Sequence, residues 1–160
     1  MAGQAIEIRA IGPGDQEAAR RLILAGLGEH FGYIDETCNP DIDDIATNYV
    51  ARGDVFLVAM LGGELAGTGA LIVGGPEAGR VVRVSVAPAQ RRRGIGRALV
   101  AGLMEAARTN ELRRLWVETN DDWDDAIALY RSCGFREYRR SGGSAYLALD
   151  LACNLSGPPT

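Results

Sequence analysis

The stretch GRVVRVSVAPAQRRRGIGRALVAGLMEAA, residues 79–107, decides how this chain folds. Its β-branched run, 81–86, stops at Pro88, after which Gln90 and the arginines Arg91, Arg92 and Arg93 lead into Gly94 and Gly96 at the front of an apolar segment of helical period. The pattern predicts strand, cationic turn, helix. Glycines let backbone N–H groups come close to a bound group, a helix start leaves donors unpaired, and the helix dipole adds positive potential where the arginines already supply charge. A seat for a phosphorylated ligand follows, with an ordinary solvated basic turn as the plain structural alternative.

Two nucleotide sites fail on spacing. A dinucleotide fold needs GxGxxG directly after a strand, yet Leu99 stands at the third glycine, and a proline and three arginines separate strand from glycine. Glu118, near the end of a later apolar run, does not rescue that reading. A Walker loop needs GKS or GKT after its glycines, and neither is present. A diphosphate site of another kind is left.

Outward from this stretch, strand signals at 6–10, 55–61 and 65–73 precede it, with turns at Gly12, Pro13 and Gly14, at Gly62 and Gly63, and at Gly74, Gly75 and Pro76. Asp15 is a cap for a first helix whose apolar positions are Ala18, Leu22 and Ala25, joined by Ile23 and Leu27. Gly26, Gly28 and Gly32 loosen the chain into an irregular stretch, and Asp41 begins a short helix through Ile42, Ile45 and Tyr49 that closes near Gly53. In the helix after Gly94, Ile95, Leu99 and Leu103 face the core and Asn110 ends it. A strand at 115–118, a helix through Ala126 and Tyr130 to Gly134, and a hairpin about Gly142 and Gly143 complete the chain. Short turns impose antiparallel pairing early, whereas the helix after Gly94 carries the chain back for a parallel neighbour. The expected fold class is α/β: a mixed, mostly antiparallel central sheet flanked by helices.

Composition narrows the partners. A chain of 160 residues is one domain in size, expected to span 1–155 with a flexible tail at 156–160. The 17 basic and 21 acidic residues give a net charge of -4, which argues against nucleic acid as a general partner. Cys38, Cys133 and Cys153 are too few and too scattered for a disulfide framework or a metal knuckle, and His30 is the sole histidine, so no metal is expected. No apolar stretch approaches the about 20 residues of a membrane span, and the opening residues lack a secretory pattern. A cytoplasmic protein without a membrane partner is expected.

The segments VSVAPAQRRRGIGRAL, 84–99, and LWVETNDDWDDAIALYRSCGF, 115–135, together resemble the two central motifs of the GCN5-related N-acetyltransferase superfamily. In the family's Q/R-x-x-G-x-G/A pattern Arg91 takes the first place, Gly94 the fourth and Gly96 the sixth; Ala126, Leu129, Tyr130, Gly134 and Phe135 match the second motif. The resemblance implies that fold, acetyl-CoA as cosubstrate, and direct attack by an amine of a small molecule or peptide. It implies that backbone groups of Val84, Ser85 and Val86 pair with the pantetheine amides and that Arg91, Arg92, Arg93, Gly94, Ile95, Gly96 and Arg97 hold the diphosphate. Tyr130 matches the family's proton donor to the departing thiolate, with core packing as its other role, and Glu118 is the first choice of base, with a solvated strand end as its other role. Trp123 stands where the family often has an asparagine that holds the pantetheine, and Asn120 is its expected substitute from the loop. Asp121, Asp122, Asp124 and Asp125, facing His30, Phe31, Tyr33, Asp35 and Asp41 across the cleft, are either helix caps or an acidic lining that favours a cationic amine. A noncatalytic acyl-CoA-binding or protein-interaction module and a protein N-terminal acetyltransferase are the competing functions, and a homodimer is the remaining partner option.

Overall fold

A computed structural model describes residues 5–32, 39–75 and 77–151. Seven strands, β1 Ile6–Ala10, β2 Val55–Leu61, β3 Glu64–Ile72, β4 Ala78–Val86, β5 Arg114–Asn120, β6 Arg136–Ser141 and β7 Ser144–Asp150, form one sheet. Their order is β1-β2-β3-β4-β5-β7-β6. Only β4 and β5 pair in parallel, because α3, Ile95–Thr109, returns the chain between them. The mixed, mostly antiparallel sheet is the one that residues 79–107 imply.

Helices cover both faces. Val81 packs in a cluster with Val100 and Leu103 of α3 and with Ile127 and Tyr130 of α4, Asp124–Ser132, whereas the next residue, Val82, packs with Ile23 and Leu24 of α1, Gln16–Phe31. Successive side chains on a strand point to opposite faces, so α1 lies on one side and α3 and α4 on the other. In α3 the expected Ile95, Leu99 and Leu103 are buried, and Val100 and Ala107 join them on the adjoining side.

Two expectations for the first helix fail. The buried face of α1 is Ala19, Ile23 and Leu24, so Ile23 lies where the spacing put it while Ala18 and Ala25 are exposed; alanines bury too little to fix the phase of a helix, and Ile23 and Leu24, packed with Phe56, Val58 and Ala70, set it instead. Nor do Gly26 and Gly28 end this helix. It runs on to Phe31 and closes at Gly32, whose φ of 83° lets its N–H donate to the Gly28 carbonyl at 2.8 Å. The helix lies beside β4 here, where a Cβ on Gly26 would make an ordinary 3.7 Å contact with Ser85 Oγ, and the roughly 1 kcal/mol that an interior glycine costs does not stop it.

The single short helix expected from Asp41 is three pieces: a 3₁₀ turn Pro40–Asp43, α2 Ile45–Asn48, and a 3₁₀ turn Val50–Arg52 closed by Gly53. Asp44, not Asp41, caps α2 by accepting from Thr47 N–H at 3.1 Å. Tyr33, Ile34, Asp35 and Cys38, Pro76, and the chain after Leu151 with Cys153 lie outside the described residues.

Candidate functional site

The site begins where two strands part. The parallel ladder joins Ala78–Val81 of β4 to 114–117 of β5 and stops at Val81↔Val117, although both strands continue. A bulge in β4 starts the divergence: the β3 register shifts between Thr68 and Ala70, and Arg83 opposite takes a left-handed φ of 57°. Thr68, fully buried, donates its hydroxyl to the Arg83 carbonyl at 2.7 Å. Arg83 is held at its far end as well. Its guanidinium donates to Asp41 at 2.6 and 3.0 Å and to Asn39 at 3.1 Å, and Tyr49 donates to the same Asp41 at 2.6 Å.

Beyond the bulge, main-chain groups face the gap. Ala87 N–H donates to the β3 residue Ala66, and the Arg83 carbonyl also points to β3, so by alternation Val84 and Val86 turn toward the opening while Ser85 turns toward β3. An extended amide-bearing ligand can add to that edge as a strand would. The Val86 carbonyl is covered by Arg91 Nε at 3.3 Å, and the other end of Arg91 is paired with Glu29 near the end of α1.

The glycine–arginine turn follows the 3₁₀ turn Pro88–Gln90. Gly94, at φ 84°, is the residue immediately before α3 and has open space where a side chain would be. The N–H groups of Ile95, Gly96 and Arg97 belong to the first turn of a 15-residue helix and have no carbonyl of that helix to bond. Arg92, Arg93 and Arg97 are exposed beside them. Gly96 has a different role from Gly94: a Cβ there would lie 3.1 Å from Leu129 of α4, so its smallness lets the two helices meet.

Glu118 is the first β5 residue beyond the paired segment. Its carboxylate is oriented by two donors, Ser144 Oγ at 2.8 Å and Arg80 Nη2 at 3.4 Å. Tyr130 approaches from the other face of the sheet, buried beside Phe135 and the β5 residue Val117. Burial, with a smaller contribution from Cys133, pushes its phenol above the ordinary value. The two groups thus flank the plane of the sheet on opposite sides near the gap.

Trp123 stacks face to face on His30, ring centroids 4.1 Å apart and 8° from parallel, and His30 meets Asp122 at 3.3 Å. Phe31 packs edge-on against His30 at 4.7 Å. The end of α1 is therefore joined to the β5–α4 connection, a bridge that the loop aromatics hinted at and the stacking partner did not. Asn120 is the last residue of β5, opposite Ser144, rather than a loop residue. Of the residues expected to make an acidic lining, Asp41 is engaged by Arg83 and Tyr49, Asp122 meets His30, and Asp35 lies outside the described residues. Sequence reasoning missed Arg80, Arg83 and Ser144. Arg83 carried a signal, a charged residue inside a β-branched run, which is costly unless a partner or a bulge receives it.

Among the described residues no group of three or more His, Cys, Asp or Glu side chains is placed to hold a metal ion, and no helix is long and apolar enough to cross a membrane.

A parted pair of parallel strands, a glycine–arginine turn and the start of α3 thus follow one another along β4. The sequence profile of the acetyltransferase (GNAT) family matches residues 24–135, and the chain belongs to that family. It is similar to N-acetyltransferase 8 of Rattus norvegicus, 35% identical over 111 residues, which is 66% of this chain and 50% of the rat protein. The chain spans about half the length of the curated relatives it matches. Among solved structures, a GNAT-family acetyltransferase from Staphylococcus aureus Mu50 superposes with a TM-score of 0.84 at 23% identity, over 92% of this chain and 99% of that one. The PaiA N-acetyltransferase of Thermoplasma acidophilum, in complex with coenzyme A, does so at 0.79 and 16% identity, over 91% and 99%.

Proposed function

We propose that this chain transfers the acetyl group of acetyl-CoA to a primary amine by direct attack on the thioester. The observation that carries the reading is the parting of β4 and β5 beyond Val81 and Val117, next to the residue 91–97 turn. The open edge of Val84 and Val86 receives the pantetheine amides, for which Arg91 must release the Val86 carbonyl. The turn and the first N–H groups of α3 take the diphosphate, with Arg92, Arg93 and Arg97 neutralising its charge. Trp123 contributes an apolar wall in place of an amide, and Asn120 lies one turn of the pleat beyond Glu118 on the same strand.

An ammonium has no lone pair, so its proton leaves first, to Glu118. The amine nitrogen then bonds to the thioester carbon, the carbon–sulfur bond breaks, and the nitrogen gives its second proton to water, which balances the one Tyr130 later takes back. Sulfur departs as thiolate and takes a proton from Tyr130, which regains one from water. The products are an N-acetyl amine and free CoA. Burial keeps the phenol protonated at neutral pH, the form an acid needs.

A peptide N-terminus is the second acceptor class, favoured by the uncovered side of β5 and β7 around Glu118, Ser144 and Tyr146. The deciding experiment measures CoA release with a panel of amines and peptides, followed by product mass. A gain of one acetyl group with stoichiometric CoA is expected; tight CoA binding without thioester consumption for any acceptor would leave a noncatalytic acyl-CoA binder.

A further inference from the structure

Arg80 stands next to Glu118 on the α1 side of the sheet, in the half that α1 leaves uncovered, and its side chain is loosely paired. It faces Trp116 across the β4–β5 ladder, with its guanidinium carbon 4.9 Å from the centre of that ring. Its Nε is buried without a hydrogen-bond partner among the described residues. Its contact with Glu118, 3.4 Å, is longer than the about 2.7–2.9 Å of a well-made charged hydrogen bond. The buried Nε is out of reach of a ligand, but the half-exposed Nη end, held over the ring and only loosely paired with Glu118, is open to a carboxylate.

From Trp116 the same face continues as an open hollow of about 350 Å³ lined by Ala78, Arg114, Trp116, Tyr138, Arg139 and Tyr146. Arg114 lies over the Tyr138 ring at 5.4 Å and Arg139 over Tyr146 at 5.1 Å, so this wall is aromatic and cationic. Tyr146 is directly opposite Glu118 in the β5–β7 ladder, and Ser144 steers the carboxylate from the same strand. Base, anion receptor and aromatic floor are thus contiguous.

We propose that the acceptor is an α-amino acid with an aromatic or other large apolar side chain, its carboxylate read by Arg80. This rests on the acetyl-transfer reading, with Glu118 as base. In an α-amino acid one carbon separates ammonium from carboxylate, which suits two receptor groups 3.4 Å apart. The ammonium takes Glu118, the carboxylate takes Arg80, and one long ion pair becomes two short ones. The side chain lies along Trp116 and Tyr146. A phosphate ester or a long diamine holds its second charge too far from the amine to use both groups, and a peptide N-terminus presents a neutral amide to Arg80, leaving the guanidinium unsatisfied.

The test compares L-phenylalanine with L-phenylalaninamide in the parent, Arg80→Met and Arg80→Lys proteins, following CoA release at saturating acetyl-CoA. The parent is expected to favour the acid in kcat/KM by about 10- to 100-fold, the discrimination of a charged hydrogen-bonded contact. In Arg80→Met the acid-to-amide ratio should fall to about one; in Arg80→Lys, which keeps charge but loses the fork, it should be intermediate. Any general loss from a disturbed Glu118 affects both substrates and cancels in the ratio. Calorimetric binding of L-phenylalanine to the CoA-loaded parent, lost in Arg80→Met, supplies a readout without turnover. A parent that prefers the amide, a ratio unchanged by Arg80→Met, or no binding of the acid overturns the proposal. Acetylation of other amines would then leave the enzyme reading standing. Bound amino acid with no CoA release from any acceptor would support the receptor and remove the reaction.

Discussion

At the scale of single residues, the structure separates side chains that look equivalent in sequence. Gly94 and Gly96 both match the diphosphate motif, but Gly94 has a left-handed φ and open space, whereas Gly96 abuts Leu129. Gly96→Val should therefore lower stability by about 1–3 kcal/mol through overpacking as well as weaken CoA binding. Gly94→Ala should lower stability by only about 1 kcal/mol, from backbone conformation, while still reducing CoA affinity. Denaturant unfolding and calorimetric CoA binding on both variants check this; equal CoA affinity in folded Gly94→Ala would remove the turn from the donor seat. Tyr130→Phe keeps the buried ring and deletes the proton, so turnover should fall about 10²- to 10⁴-fold with CoA affinity unchanged. Parallel losses in binding and turnover would return Tyr130 to a packing role. Glu118→Gln should also slow turnover, and the deficit should shrink at high pH, where free amine forms unaided; a deficit constant with pH would move the base to another group.

At the scale of elements, the wedge that opens the cleft is the bulge at Arg83 and its buttress from the 39–49 segment. Burial alone would raise the Asp41 carboxyl, but hydrogen bonds from Arg83 and Tyr49 outweigh it and hold the group below its ordinary value. A carboxyl depressed in the folded state binds fewer protons there than in the unfolded chain, so its stabilisation is present above the ordinary carboxylate range and is lost as pH falls through the folded value. Asp41→Asn should thus lower stability at pH 7 by about 1–3 kcal/mol and flatten the fall of stability below about pH 4. The slope will not vanish, because Asp15, Asp44 and Glu137 are also depressed by hydrogen bonds. An acid-unfolding series on parent and variant decides it, and identical slopes would mean that the pair adds nothing. Local signals such as glycine pairs, periodic leucines and a proline after valines made the strands, turns and α3 legible in sequence. The α1 phase and the broken 40–52 segment were not, because both depend on contacts across many residues, Ile23 and Leu24 with Phe56 and Val58, and Asp41 with Arg83. The same limit governs the candidate site: Glu118 and Tyr130 are named by resemblance, but the groups that orient Glu118, Arg80 and Ser144, come from other strands, and only the β4–β5 and β5–β7 registers bring them to it.

At the scale of the whole molecule, the cleft is an interruption of the sheet, and the sheet is the core. β4 and β5 share four paired positions and then separate, so the half with β1, β2 and β3 is joined to the half with β6 and β7 mainly through that short ladder and the packing of α3 beneath it. A ligand that lies along the β4 edge and anchors at the start of α3 restores contacts across the interruption. CoA should therefore stabilise the fold as a whole: at 100 times its Kd, binding to the native state alone adds about 2.7 kcal/mol. For a chain of this length that corresponds to a rise in Tm of about 5–10 °C. Pantetheine, which has the amides and no diphosphate, should shift Tm less at the same concentration, and the difference between the two ligands should shrink as salt rises, because Arg92, Arg93 and Arg97 are exposed and screened. The experiment is a thermal melt with CoA, pantetheine and no ligand at low and high ionic strength. Equal shifts from CoA and pantetheine would leave the arginine turn without a diphosphate to hold, while a CoA shift insensitive to salt would assign its hold to the helix N–H groups rather than to the arginines.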